Sequence, residues 1–143
     1  MTEPQRVLIL DDDEGNRRLL QIALRTGGFA NDCAETGAEA LALARQNTYA
    51  IMLLDVNLPD MSGLDVSQTI RATNDDVVII LATTEDDDAM FRRALNKGAD
   101  VFMVKPFDID QLLKFFQNLD MDSLREADDL LIVGHAITRR YRL

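Results

Sequence analysis

At four places along the chain a short apolar run leads directly into residues able to do chemistry. Residues 7–10 lead into Asp11, Asp12, Asp13 and Glu14; residues 50–54 into Asp55; residues 77–82 into Thr83 and Thr84; and residues 101–104 into Lys105 and Pro106. Crowded carboxylates repel one another unless a cation joins them. Magnesium prefers hard oxygen ligands in an octahedron, usually one or two carboxylates with waters and phosphate oxygens, and Asp12, Asp55 and a backbone carbonyl such as that of Asn57 would supply them. A carboxylate can also attack phosphorus to give a mixed anhydride. Phosphoryl transfer needs positioning and charge neutralisation more than covalent help, so a divalent ion and an ammonium flanking the phosphoryl oxygens would supply much of it. Lys105 suits that role as a compact charge on a long stem, and Thr83 has a hydroxyl to donate to a phosphoryl oxygen. Singly, each feature is ordinary: an aspartate after a strand is mostly a turn residue or helix cap, which is the reading given to Asp13. Four of them at one sheet edge in a single chain are not ordinary.

The elements that must bring them together follow from periodicity. The four runs are too short for helices, rich in branched residues and apolar on both faces, as strands covered on both sides of a parallel sheet are. Residues 29–34, interrupted by Asn31 and Asp32, make a weaker fifth run suited to a sheet edge. Between them Leu19, Leu20, Ala23 and Leu24 recur at helical spacing, as do Ala38, Leu41, Ala42 and Arg45 after Thr36, which forms a capping box with Glu39. Gly27 and Gly28 close the first helix and Gly98 the fourth, while residues 64–72 and 109–119 complete five helices. Alternating strands and helices predict an α/β doubly wound sheet, whose ligands sit at the carboxyl ends of the strands. Beyond residue 119, Ser123 with Glu126 three positions on, followed by Leu124, Ala127, Leu131 and Ile137, predicts an additional amphipathic helix, although Gly134 interrupts it and Ile132 and Val133 also suit a strand.

Composition narrows the function classes. With 143 residues the chain fits one domain and an appended element. The net charge of −10 opposes binding to nucleic acid or anionic lipid, so any recognition of phosphate must be local. No run approaches the length of a membrane span and no signal-peptide pattern opens the chain, which predicts a cytoplasmic protein. Cys33 is the only cysteine, excluding an internal disulfide, and it is read as a small core residue. His135, the only histidine, has no partners nearby in sequence for a triad or metal site.

Leu-Ile-Leu-Asp11-Asp12, Leu-Leu-Asp55-Val-Asn-Leu-Pro59-Asp-Met-Ser-Gly63, Ile-Leu-Ala-Thr83-Thr and Val-Lys105-Pro106-Phe107 resemble, in order and spacing, the signature stretches of bacterial response-regulator receiver domains. The similarity runs over residues 6–119. It implies a flavodoxin-like five-stranded parallel sheet of order 2-1-3-4-5 with five helices, to which the C-terminal helix is an addition; residues 1–120 form the receiver unit and residues 121–143 an extension or the start of a linker. It implies that Asp55 is the phosphoacceptor, that Asp11 and Asp12 hold Mg2+ or Mn2+ directly or through water, and that Asn57 gives a carbonyl ligand. Thr83 becomes the switch hydroxyl and Lys105 the phosphate-neutralising ammonium. Phe102 takes an aromatic switch position without a phenolic hydroxyl, Pro106 follows a cis peptide bond, and Gly63 supplies freedom in φ at the turn into the third helix. The implied partners are a sensor histidine kinase or histidine phosphotransfer protein as donor, and a downstream protein or second copy docking on the fourth helix, fifth strand and fifth helix. Thr84, bulkier than the residue usual there, is expected to crowd the phosphoryl group, whereas Asn57 with Glu85 resembles the pair of rapidly dephosphorylating chemotaxis regulators.

The resemblance implies a switch, not an enzyme acting on other substrates. An aspartyl-nucleophile phosphatase of the haloacid-dehalogenase type is the alternative, since Asp11 and Asp13 reproduce its spacing, although its longer cap region is missing. A flavodoxin-like electron carrier is disfavoured by the absence of tryptophan and of a hydroxyl-rich phosphate loop. The residues after 119 are too few for an output domain, so the expectation is direct docking or a piece of a larger regulator.

Overall fold

The computed structural model describes residues 5–135 and 138–143. In chain order the elements are β1 (Arg6–Leu10), α1 (Glu14–Thr26), β2 (Ala30–Ala34), α2 (Gly37–Gln46), β3 (Ile51–Asp55), α3 (Gly63–Arg71), β4 (Val78–Thr83), α4 (Asp88–Asn96), β5 (Val101–Val104), α5 (Ile109–Gln117), α6 (Met121–Glu126), β6 (Leu130–Val133) and β7 (Thr138–Tyr141). The strands form one sheet of order β2-β1-β3-β4-β5-β6-β7, parallel up to β6, with β7 antiparallel at the end.

Apart from Arg6, Asp55 and Thr83 at their ends, the inner strands β1, β3, β4 and β5 are apolar throughout because alternate residues feed two separate cores. Leu8, Leu10, Met52, Leu54, Ile79, Leu81 and Phe102 face α2, α3 and α4, which return Ala40, Leu64, Val66, Ile70, Met90, Phe91 and Ala94. Val7, Ile9, Ile51, Leu53, Val78, Ile80, Val101 and Met103 face α1, α5 and α6, which return Leu20, Ala23, Leu24, Leu112, Phe116 and Leu124. Fully burying a side chain of this size stabilises by roughly 1.5–3 kcal/mol, so these two layers hold the sheet edge above them in place.

The helix ends follow local chemistry. Asp13, Thr36, Ser62, Asp87, Asp108 and Asp120 each accept an amide hydrogen of the helix they precede, a contact worth about 1 kcal/mol per cap. The acidic run from Glu85 to Asp88 is therefore in part the cap of α4. Gly28 and Gly98 have φ of +84° and +95°, the left-handed conformation in which a Cβ is penalised.

The C-terminal segment departs from the predicted helix. Helix α6 is only six residues long and is capped by Asp120, with Ser123 inside it. The chain leaves helical geometry at Ala127, and residues 130–133 add a parallel strand beside β5. Leu130 and Ile132 enter the α4 core while Val133 enters the α5 core. A segment apolar on both faces satisfies both layers only as a strand, and in that position it also pairs the edge amides and carbonyls that β5 would otherwise present to solvent. Arg139 and Arg140 accordingly lie on β7 and Arg142 just past it, not at a helix terminus. Ile137 and Ala136 fall outside the described residues. Among the described residues no helix is long and apolar enough to cross a membrane.

Candidate functional site

The carboxyl ends of four neighbouring strands gather the residues singled out in the sequence. Asp11 follows β1, Asp55 ends β3, Thr83 ends β4 and Lys105 follows β5. Asp11, Asp55 and Thr83 are buried at 1%, 4% and 0% exposure, so the strands hold them below the rim while Asp12 stays at the surface.

Lys105 Nζ lies 2.9 Å from Asp11 Oδ2 and 3.1 Å from Asp55 Oδ2, bridging two carboxylates contributed by chain segments far apart in sequence. The second oxygen of Asp11 accepts the Asp13 N–H at 2.9 Å, and the second oxygen of Asp55 accepts the Asn57 N–H at 3.1 Å. Burial pushes the Asp55 carboxyl above its ordinary value; Lys105 opposes this and the Asp11 charge adds to it. Burial pulls the Lys105 ammonium down, but the hydrogen bond and charge of Asp11 and the charge of Asp55 outweigh it and leave it above its ordinary value.

Carboxylate oxygens of Asp11, Asp12 and Asp55 lie within 4.8 Å of one another. Three carboxylates against one ammonium leave a double negative charge in a half-buried pocket, and one divalent cation with hard-oxygen preference fits that donor set. The exposed Asp12 is free to turn toward such an ion, whereas Asp11 is already held at both oxygens.

Thr83 Oγ1 accepts the side-chain N–H of Asn57 at 3.2 Å and the backbone N–H of Glu85 at 3.3 Å. The first of these was not anticipated from sequence, where Asn57 counted for its carbonyl and for its pairing with Glu85; a side-chain bond spanning 26 residues has no local signal. Arg17 was also missed. Its guanidinium donates to the Asp11 carbonyl oxygen at 2.8 Å and pairs with Glu35 at 3.4 Å, fixing the turn that carries the acids.

The Lys105–Pro106 peptide bond is cis. Phe102 is fully buried on the α4 side, its ring edge-on to Phe91 with centroids 4.9 Å apart. Asp13 caps α1 by accepting the Asn16 N–H at 2.8 Å, so the second acid of the phosphatase-like spacing is engaged elsewhere. Gly63 has no positive φ; a Cβ there would lie 2.0 Å from the Asp55 carbonyl oxygen, so glycine is required for close approach, not for conformational freedom. Thr84 is exposed at the rim.

The expected docking face is altered by the protein's own chain. Strand β5 is paired on both sides, to β4 and to β6, so its edge is closed. Tyr141 packs on Phe91 with centroids 5.7 Å apart, the Arg139 guanidinium lies 5.2 Å from the same ring, and the buried Asp129 pairs with Arg140 at 2.7 Å and Arg142 at 3.6 Å. A polar groove of about 920 Å³ opens at the opposite end of the strands, between Arg6, Tyr49 and Arg125. Both arginines there already pair with Asp32 and Asp122, and the groove is remote from the acidic rim.

Comparison with known proteins agrees with this geometry. The family model described as "Response regulator receiver domain" matches residues 7–117. Response regulator MprA of Mycobacterium sp. (strain KMS) is 36% identical over 110 residues, covering 77% of this chain and 48% of the relative. The cell cycle transcriptional regulator CtrA of Caulobacter vibrioides is 34% identical over 132 residues, covering 92% of this chain and 57% of the relative. The chain thus spans about half the length of these curated relatives. Among solved structures, the chemotaxis response regulator CheY4 of Vibrio cholerae superposes with a TM-score of 0.75 at 30% identity, over 80% of this chain and 97% of that one. A CheY-like receiver domain protein from Methanospirillum hungatei gives 0.77 at 26% identity, over 86% and 98%.

Proposed function

This chain belongs to the response regulator receiver domain family, and from that premise we propose that Asp55 is the residue on which its phosphorylation-activated switch turns. The observation that carries the assignment is the Lys105 ammonium held 3.1 Å from Asp55 and 2.9 Å from Asp11, beside a third carboxylate on Asp12. Asp11, Asp12 and Asp55 with the Asn57 carbonyl would hold Mg2+, which supplies charge neutralisation to the transferring phosphoryl group when bound. An Asp55 oxygen attacks phosphorus, the bond from phosphorus to the donor nitrogen breaks, and the nitrogen takes up a proton as it leaves; the acyl phosphate remains on Asp55. Lys105 meets the new charge directly and exchanges its contact with Asp55 for one with the phosphoryl group.

The donor in this reading is a sensor histidine kinase or a histidine phosphotransfer protein, and the chain is a phosphoacceptor that catalyses only its own modification and its reversal. The receiver unit spans residues 1–120, and beyond it the strands Leu130–Val133 and Thr138–Tyr141 extend its sheet. Thr83 provides the readout: a phosphoryl group on Asp55 would draw its hydroxyl away from the contacts with Asn57 and Glu85, disturbing the loop that leads into α4. The downstream protein or second copy then meets α4, α5 and the β6–β7 hairpin in place of a bare fifth strand.

Incubation with acetyl phosphate or a phosphoramidate and Mg2+ is expected to add one hydroxylamine-labile phosphoryl group, read by intact-protein mass. Asp55→Asn should abolish it, chelation of the metal should suppress it, and Asp13→Asn should retain it. Labelling that persists in Asp55→Asn would overturn the assignment.

A further inference from the structure

Asp60 touches none of the reacting groups, yet both of its oxygens are engaged. It lies in the connection between β3 and α3, and it accepts the Gly37 N–H at 2.9 Å on one carboxylate oxygen and the Ala38 N–H at 3.0 Å on the other. These are the first two amides of α2, a helix that Thr36 already caps by accepting the Glu39 N–H at 3.2 Å. A helix start has four orphan amides and a partial positive charge, so an anionic carboxylate is well received there. Here, however, the carboxylate comes from a different segment, more than twenty residues further along the chain. The bond therefore ties two segments together, and Met61 reinforces it: a Cβ on Gly37 would lie 2.5 Å from Met61 Cγ, so loop and helix start are in close contact. The amide bonds also hold the Asp60 carboxyl below the usual carboxylate range, so it is ionised at neutral pH.

The tethered loop is the one that serves the site. Its ends are closed by the Gly63 N–H bonded to the Val56 carbonyl at 2.9 Å and by the bridge between Asn57 and Ser62. Within it, Asn57 donates its backbone N–H to Asp55 and its side-chain N–H to Thr83. We infer that Asp60 is a positioning residue for the phosphoacceptor site, clamping this loop onto α2 so that the amide and carbonyl of Asn57 keep their direction toward Asp55 and its cation. The inference rests on the reading above, in which the Asn57 carbonyl is a metal ligand.

The test is calorimetric titration of the full chain with Mg2+ alone, run on wild type, Asp60→Ala, Asp60→Asn and Thr36→Ala, with thermal melting of each. Loss of an outer support of a metal ligand typically costs 10- to 100-fold in affinity, and Asp60→Ala, acting through backbone, is expected at about tenfold. Asp60→Asn should fall between, since one oxygen can still accept. Thr36→Ala loosens the same helix start and should lower the melting temperature without moving Mg2+ affinity. At saturating Mg2+ the phosphorylation rate of Asp60→Ala should return to that of wild type. Wild-type affinity in Asp60→Ala, or an equal loss in Thr36→Ala, would overturn the inference while leaving phosphorylation of Asp55 intact. Failure of wild type itself to bind Mg2+ would overturn the reading of the site, and this inference with it.

Discussion

The proposed phosphoacceptor is a charge held where charge is costly. Asp55 is buried beside Asp11, and Lys105 offsets only part of the penalty, so its carboxyl gives up a proton less readily in the folded chain than in the unfolded one. For a carboxylate raised by folding, the folded state binds the extra proton, so stability falls as pH rises from the unfolded value through the folded one. Asp55→Asn removes that cost and should raise the melting temperature at pH 7 by several degrees in metal-free buffer, the gain shrinking toward pH 4. An unchanged or lower melting temperature at pH 7 would show that the bond to Lys105 outweighs the burial penalty. Thr84 makes a separate prediction. It is exposed at the rim next to Thr83, and Thr84→Ala should shorten the acyl phosphate half-life severalfold by opening the approach of water; an unaltered decay would remove it from the control of hydrolysis.

Among the elements, the C-terminal hairpin sets this chain apart from a plain five-stranded sheet. Its hold is distributed: ladder pairing of β6 to β5, Leu130, Ile132 and Val133 in the two cores, the Tyr141 ring on Phe91, and two arginines on Asp129. Tyr141→Ala removes one aromatic contact, worth about 1 kcal/mol beyond the area it buries. It should speed amide hydrogen exchange in β6 and β7 while the rate of Asp55 phosphorylation stays as in wild type. Exchange unchanged in the hairpin would mean that the strand pairing alone holds it. Phe91 of α4 packs both on Tyr141 of the hairpin and edge-on to Phe102 of β5.

At the scale of the whole molecule, metal binding and folding are linked. Three acids delivered by two strands converge only in the native sheet, so Mg2+ held there as proposed would stabilise by mass action, by about 2.7 kcal/mol at a hundred times its dissociation constant. Added Mg2+ should therefore raise the melting temperature, with a smaller increment at pH 5 than at pH 8 because Asp55 must lose its proton to serve, and none after chelation; a pH-independent increment would place the ion elsewhere. The five alternating strands, the helices between them and the acids, hydroxyl and ammonium at the rim were legible in the sequence, because apolar runs and the polar residues closing them are local patterns that a parallel sheet converts directly into position, while the strand order came from the family resemblance. The segment after residue 119 was legible only in part: the helix around Ser123 and Leu124 was expected, and Ile132 and Val133 suited a strand as well as a continued helix, but only the unpaired edge of β5 and its two flanking cores made a strand of residues 130–133. The bond from Asn57 to Thr83, the support of Arg17 under Asp11 and the tether of Asp60 to α2 were hidden. Sequence by itself determined which chemical groups reach the site, since each sits beside its own strand. Only tertiary structure decided how they are aimed and what covers β5, since those bonds join segments that become neighbours only after the sheet has formed.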